Sequence, residues 1–104
     1  MIVRILEGTV VHGAEATFAE VARRRLPAFR EVAGVRSIHL ARRITPSGLV
    51  EFAWVSIWED AAALADFETR SGDPPAFIRE LGPIVASWQL RHLEAFDDEP
   101  GERG

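Results

Sequence analysis

The 104-residue sequence contains no cysteine, tyrosine, lysine or asparagine, and its one methionine is the first residue. Without cysteine there are no disulfides, thiolate zinc sites, iron–sulfur ligands or thiol nucleophiles. Without tyrosine there is no phenolic acid–base chemistry and no tyrosyl radical. Lysine, asparagine and tyrosine share AT-rich codons, so a GC-rich genome accounts for their joint absence. No long apolar run is present, and the opening MIVRILEG carries Arg4 and Glu7. It therefore reads as neither a signal peptide nor a membrane span, and the expected compartment is the cytoplasm. What is present is ordinary for one domain: 47% hydrophobic and 27% charged residues, enough chain for one core and too little for two. The formal charge of −4 is unevenly spread. Residues 1–50 hold eight arginines against four glutamates, and residues 51–104 hold four arginines against twelve acids. Arg23, Arg24 and Arg25 read as the solvated side of a helix rather than a phosphate-binding patch.

Hydrophobic periodicity orders the elements. Met1 to Val11 alternates as a first strand, which His12-Gly13 ends. Phe18, Val21, Ala22, Leu26, Phe29 and Val32 recur at helical spacing over Ala14 to Ala33, with Pro27 predicting a kink or break and Gly34 the stop. Arg36 to Ile44 reads as a second strand. Thr45-Pro46-Ser47-Gly48 is a hairpin turn and Leu49 to Trp58 a third strand. Asp60 is the predicted N-cap of a short helix over Ala61 to Phe67. Thr69 to Gly72 reads as a linker and Asp73-Pro74 as a cap with proline in the first turn. Phe77, Ile78, Leu81, Ile84, Val85 and Trp88 predict a last helix kinked at Pro83 and anchored by Trp88. Gln89 to Phe96 follows as the last strand. The expected architecture is α+β: a ferredoxin-like βαββαβ domain over residues 1–96, a four-stranded antiparallel sheet with helices on one face. Residues 97–104 read as a disordered acidic tail.

The third strand carries the functional signal. Ala53, Val55 and Ile57 share one face, and Phe52, Trp54, Ser56 and Trp58 share the other. The small, branched set suits the underside of helices, which leaves the aromatic set outward. Each ring buries about 150–250 Å² when covered, so three left bare forgo several kcal/mol at about 25 cal/mol per Å². The expected cover is a second copy of the sheet, a flat aromatic ligand or stacked nucleobases.

Two resemblances follow. The pattern Phe29-x-x-x-x-Gly34-Val35 closing the first helix, then Val55-Ser56-Ile57-Trp58-Glu59-Asp60-Ala61-Ala62-Ala63-Leu64, is similar to the antibiotic-biosynthesis-monooxygenase-like (ABM) family of the dimeric α+β barrel superfamily, over residues 1 to 96. That resemblance implies a homodimer pairing through its sheet faces and a cofactor-independent monooxygenase acting on a hydrophobic aromatic quinol or anthrone. A non-catalytic binding or accessory protein on the same fold is the alternative. It implies a catalytic tryptophan at Trp58 and a catalytic arginine at Arg79; the family's asparagine and tyrosine fall on Trp54 and Leu64 and are lost. The haem-degrading members' tryptophan falls on Phe67, but their histidine finds no counterpart between Thr69 and Ser87. The second resemblance is to the RNA-recognition motif, through Phe52-Ala53-Trp54-Val55. Glu51 in place of glycine, the missing aromatic on the first strand and the negative net charge set it well behind.

Weighed singly, His39 is the base for a phenolic substrate if its face is the one bearing Trp54 and Trp58; otherwise it is a packed histidine bonded to a carbonyl. Trp54, Trp58, Phe67 and His92 are the candidate substrate-binding side chains. Trp58 reads equally as a barrel-core residue at the dimer seam, and His92 as facing His39 across the sheet. Arg79 reads as an enolate-orienting group or as an exposed arginine paired with Glu80 or Asp73. Three histidines without a fixed short spacing make no metal motif, and no cofactor is expected.

Overall fold

Branched and aromatic residues with a period of two build four strands, one pair joined by a hairpin turn and the other two pairings made between distant parts of the chain. The computed structural model describes residues 1–97. In chain order it contains β1 (Ile2–Val10), α1 (Glu15–Arg30), β2 (Val35–Ile44), β3 (Val50–Trp58), α2 (Ala61–Ser71), α3 (Ala76–Leu81), a 3₁₀ turn (Gly82–Ile84) and β4 (Val85–Glu94). The sheet order is β2-β3-β1-β4, all antiparallel. This is the expected βαββαβ layout, with the helices on one face.

Two local predictions are met atom by atom. Asp60 caps α2, its side chain accepting from the Ala63 amide at 2.8 Å. Gly34 ends the loop after α1 at φ 90°, and a Cβ there would lie 2.3 Å from Ala63 Cβ. The Gly34 carbonyl accepts from Glu59 N at 2.8 Å, so this glycine joins the end of α1 to the start of α2. Gly8 serves a different need: a Cβ would meet the Ser87 carbonyl at 2.2 Å and the Phe52 ring at 3.0 Å.

Other boundaries move. Pro27 does not break α1, which runs on to Arg30. The bond it forfeits is to the carbonyl of exposed Arg23, where water can take it. The predicted linker Thr69 to Gly72 is mostly the last turn of α2, held by Thr69 Oγ1 donating to the Ala65 carbonyl at 2.9 Å and by Arg70 pairing with Asp66. Asp73-Pro74 is not a cap; α3 starts at Ala76, whose amide donates to Ser71 Oγ at 3.0 Å. The predicted helix through Trp88 stops at Leu81. Gly82 and Pro83 end it, and Val85 onward pairs with β1, which places Trp88 on a strand. Residues 98–104, most of the predicted tail, lie outside the described residues.

The largest correction concerns the faces of β3. Val50, Phe52, Trp54, Ser56 and Trp58 are the buried set, packed beneath the helices, whereas Glu51, Ala53, Val55 and Ile57 lie on the outer face. The rings need no second chain to cover them. Phe52 meets Phe18, Trp54 meets Phe29 and Phe77, and Trp58 meets Phe67, at centroid separations of 4.6–5.2 Å. Large side chains fill the depth between sheet and helices better than Ala53 and Val55 would.

Candidate functional site

β1 alternates so that Arg4, Leu6, Gly8 and Val10 point toward the helices; the register sets Arg4 opposite Ser56 and Leu6 opposite Trp54. α1 presents Arg25, Ala28 and Phe29 to the same space, the loop after it adds Val32, and α2 and α3 add Phe67 and Phe77. Between these elements lies a cavity of about 450 Å³. Its walls are rings: Phe29 stands 5.1 Å from Trp54 and 4.9 Å from Phe67.

Two of its polar side chains, Arg4 and Trp54, are deeply buried. Arg4 is 2% exposed, and its Nε donates to Glu68 Oε2 at 3.0 Å. The same carboxylate oxygen lies 2.9 Å from His92 Nε2, so Glu68 ties β1 to β4. The Arg4 guanidinium also sits 5.3 Å from the Phe67 ring centre, in cation–π range. Burial pulls the Arg4 pKa down while Glu68 pushes it back up; an arginine starts so high that it stays cationic at neutral pH. Trp54 is 1% exposed, and its indole Nε1 has no hydrogen-bond partner. An unpartnered buried donor costs about 1–3 kcal/mol, and Trp54 carries that cost within the packed layer beneath the helices.

The mouth carries Arg24, Arg25 and Arg70 with Glu80. Glu80 accepts from Arg25 Nε and from Arg24 Nη2 (2.8 Å in the second case), pinning α3 to α1. Those bonds, Arg25 first, hold the Glu80 carboxyl below the usual glutamate value. A depressed folded value means the clamp is complete above the ordinary glutamate pKa of about 4.3 and is lost as pH falls through the folded value. Urea midpoints of the wild-type protein should therefore fall toward those of Glu80→Gln over roughly pH 5 to 3 and coincide at the acid end. Parallel curves across that window would show that the clamp adds nothing.

Arg4, Ser71 and Pro75 also border an adjoining depression of about 580 Å³, which reaches Glu68, Trp88, Leu90 and His92 at the β4 edge. A broader concavity of about 700 Å³ lies on the outer sheet face, among Glu7, Arg43, Glu51 and Gln89.

Of the side chains singled out from sequence, Trp54 and Phe67 line the helix-side cavity, and His92 stands behind it through Glu68. His39 pairs with Val55 on the outer face, exposed, across the sheet from the rings; the condition for its acting beside Trp54 and Trp58 is not met. His92 shares the helix side with Arg4 and so does not face His39. Trp58 is fully buried in the chain's own core rather than at a seam, its Nε1 donating to Ser56 Oγ at 2.9 Å. Arg79 is exposed and donates to the Pro74 carbonyl, apart from the cavity; Glu80, its predicted partner, is taken by α1. Arg4 and Glu68 escaped the sequence reading. An arginine in phase with Leu6 and Val10 on β1 was the available signal, together with a glutamate one turn after Leu64 on α2.

Residues 1–73 match the model of the family described as antibiotic biosynthesis monooxygenase (ABM). The chain belongs to the ABM family. Solved structures agree on the ABM fold. SnoaB, a cofactor-independent oxygenase from Streptomyces nogalater, superposes with a TM-score of 0.65 at 20% identity, covering 95% of this chain and 97% of its own. Rv0793 from Mycobacterium tuberculosis gives 0.69 at 15% identity, with 94% and 97% covered. A variant of MhuD, with two manganese protoporphyrin IX molecules bound per active site, gives 0.64 at 16%, with 91% and 94% covered. No curated protein sequence matches this ABM chain. Among its described residues, no helix is long and apolar enough to cross a membrane.

Proposed function

We propose that this ABM protein is a cofactor-independent monooxygenase for a hydrophobic aromatic molecule of the quinol or anthrone kind, working as a homodimer. The observation that carries the reading is the ring-walled cavity between sheet and helices. Its volume of about 450 Å³ suits a small polycyclic ligand, and Trp54 and Phe67 supply stacking surfaces. Family membership and the likeness to SnoaB support the choice of chemistry.

For an anthrone, the ring CH2 and one O2 become a ring carbonyl and one water. One oxygen atom stays on carbon, the other leaves with both hydrogens, and the carbon supplies all four electrons. The protein's tasks are to orient the rings, exclude water and favour the deprotonated substrate. For the homodimer, the support is the outer sheet face: Val3, Ile5, Val55, Ile57 and half-exposed Leu93 form an apolar strip that no part of the described chain covers. Light scattering should give twice the chain mass for wild type and the single mass for Val55→Glu.

One observation favours the non-catalytic binding protein instead. Glu80 is the one carboxylate lining the cavity among the described residues, and both Arg24 and Arg25 hold it. An oxygen electrode decides between them. The oxygenase consumes one O2 per anthraquinone formed, saturably and above spontaneous autoxidation; a rate equal to that without protein selects the binding protein.

A further inference from the structure

The ring-walled cavity shares Arg4, Ser71 and Pro75 with the adjoining depression of about 580 Å³ at the β4 edge. That volume lies within the range of about 300–1,000 Å³ usual for ligand pockets. Register with β1 sets Trp88 opposite Gly8, Leu90 opposite Leu6 and His92 opposite Arg4, so all three stand on the helix side. Trp54 and Trp58 on the same face are 1% and 0% exposed, whereas Trp88 is 39% exposed and lines the depression. A large flat ring is left open there, inside a concavity.

The polar groups around that ring suit uncharged hydroxyls. Glu68 offsets the Arg4 charge and, at 2.9 Å from His92 Nε2, orients the imidazole with Nδ1 as its other hydrogen-bonding atom. Ser71 Oγ accepts from the Ala76 amide and keeps a hydroxyl proton to donate. Thr69 Oγ1 donates to the Ala65 carbonyl and keeps lone pairs to accept. Exposed Asp73 adds a carboxylate that accepts from hydroxyls and repels an anionic substituent. A metal ion is a poor fit, since the described residues contain no group of three histidines or acids placed to hold one. A sugar matches this set. Its C–H bonds stack on the electron-rich ring face, and its hydroxyls both donate and accept.

We infer, on the footing of the proposed function, that the depression is a sugar subsite and that the molecule taken is an aromatic glycoside. The aromatic rings lie in the cavity against Phe29 and Phe67. The sugar crosses the border at Ser71 and Pro75 and stacks on Trp88, its hydroxyls bonded to Asp73 and His92.

The test compares 2-naphthyl β-D-glucopyranoside with 2-methoxynaphthalene, alike in rings and ether oxygen and different in the sugar. Titration calorimetry at neutral pH should show wild type binding the glucoside at least about tenfold more tightly. Trp88→Leu should abolish that preference and leave methoxynaphthalene within about twofold. Asp73→Ala, on the exposed rim, should weaken the glucoside alone by about fivefold, whatever Trp88→Leu does to stability. Equal affinity for the two probes in wild type overturns the sugar subsite while leaving the cavity a ligand site. So does a preference that survives in both variants. Binding of neither probe overturns the subsite and the proposed function together. A sugar preference that depends on Trp88 or Asp73, with no oxygen uptake on an anthrone, supports the subsite and removes the oxygenase.

Discussion

Glu68→Ala should lower the unfolding free energy by about 3 kcal/mol. The side chain removed is itself partly exposed, but the group it leaves behind is not: Arg4 is 2% exposed and, among the described residues, pairs with no other carboxylate. A buried guanidinium without its partner keeps its desolvation cost and loses the attraction that offset it, an effect worth about 3–5 kcal/mol for fully buried pairs. The exposure of Glu68, 24%, puts this one at the lower end. Glu68→Gln keeps an oxygen toward Arg4 Nε and should cost roughly 1–2 kcal/mol. Urea unfolding of the two variants, with unchanged slopes, is the measurement. A loss below about 1 kcal/mol for Glu68→Ala would mean that the guanidinium reaches water when its partner goes.

Trp58→Ala should cost about 4 kcal/mol, within the range of large-to-small core substitutions, and lower the melting temperature by roughly 20 °C. The indole is wholly buried, backs Phe67 at 5.2 Å and Phe29 at 6.1 Å, and donates its one N–H to Ser56. Removing it leaves a void behind two cavity walls and loosens a core hydroxyl. Trp58→Phe fills most of the volume and should cost roughly half as much. Because Trp58 stands behind Phe29 and Phe67 and does not line the cavity itself, Trp58→Phe should leave the affinity for an anthrone close to that of wild type. Calorimetric melting and the binding titration of the same variant check both statements. A marked loss of affinity in Trp58→Phe would place Trp58 against the ligand after all.

The periodicities that are local were readable in the chain alone. The element order, the Asp60 cap, the Gly34 stop and the Thr45–Gly48 turn each depend on a few neighbouring residues, and each stands where the pattern put it. The 77–88 stretch misled because helical spacing continues across Gly82-Pro83. There the ladder from Val85 to β1, made with residues some 75 to 90 positions away, outweighs local preference. Alternation along β3 likewise showed that Phe52, Trp54 and Trp58 share a side, since the period of a strand is two. It carried no information about which side the helices take. That is set by how α1, α2 and α3 cross the sheet, and it moved His39 away from the rings and Trp54 into a cavity wall. The site's polar floor is less local still: Arg4 meets Glu68 across 64 positions of chain and His92 meets the same carboxylate from another strand. A charge in the apolar phase of β1 is visible in one dimension, but the carboxylate that makes its burial tolerable is found only when β1, α2 and β4 are brought together.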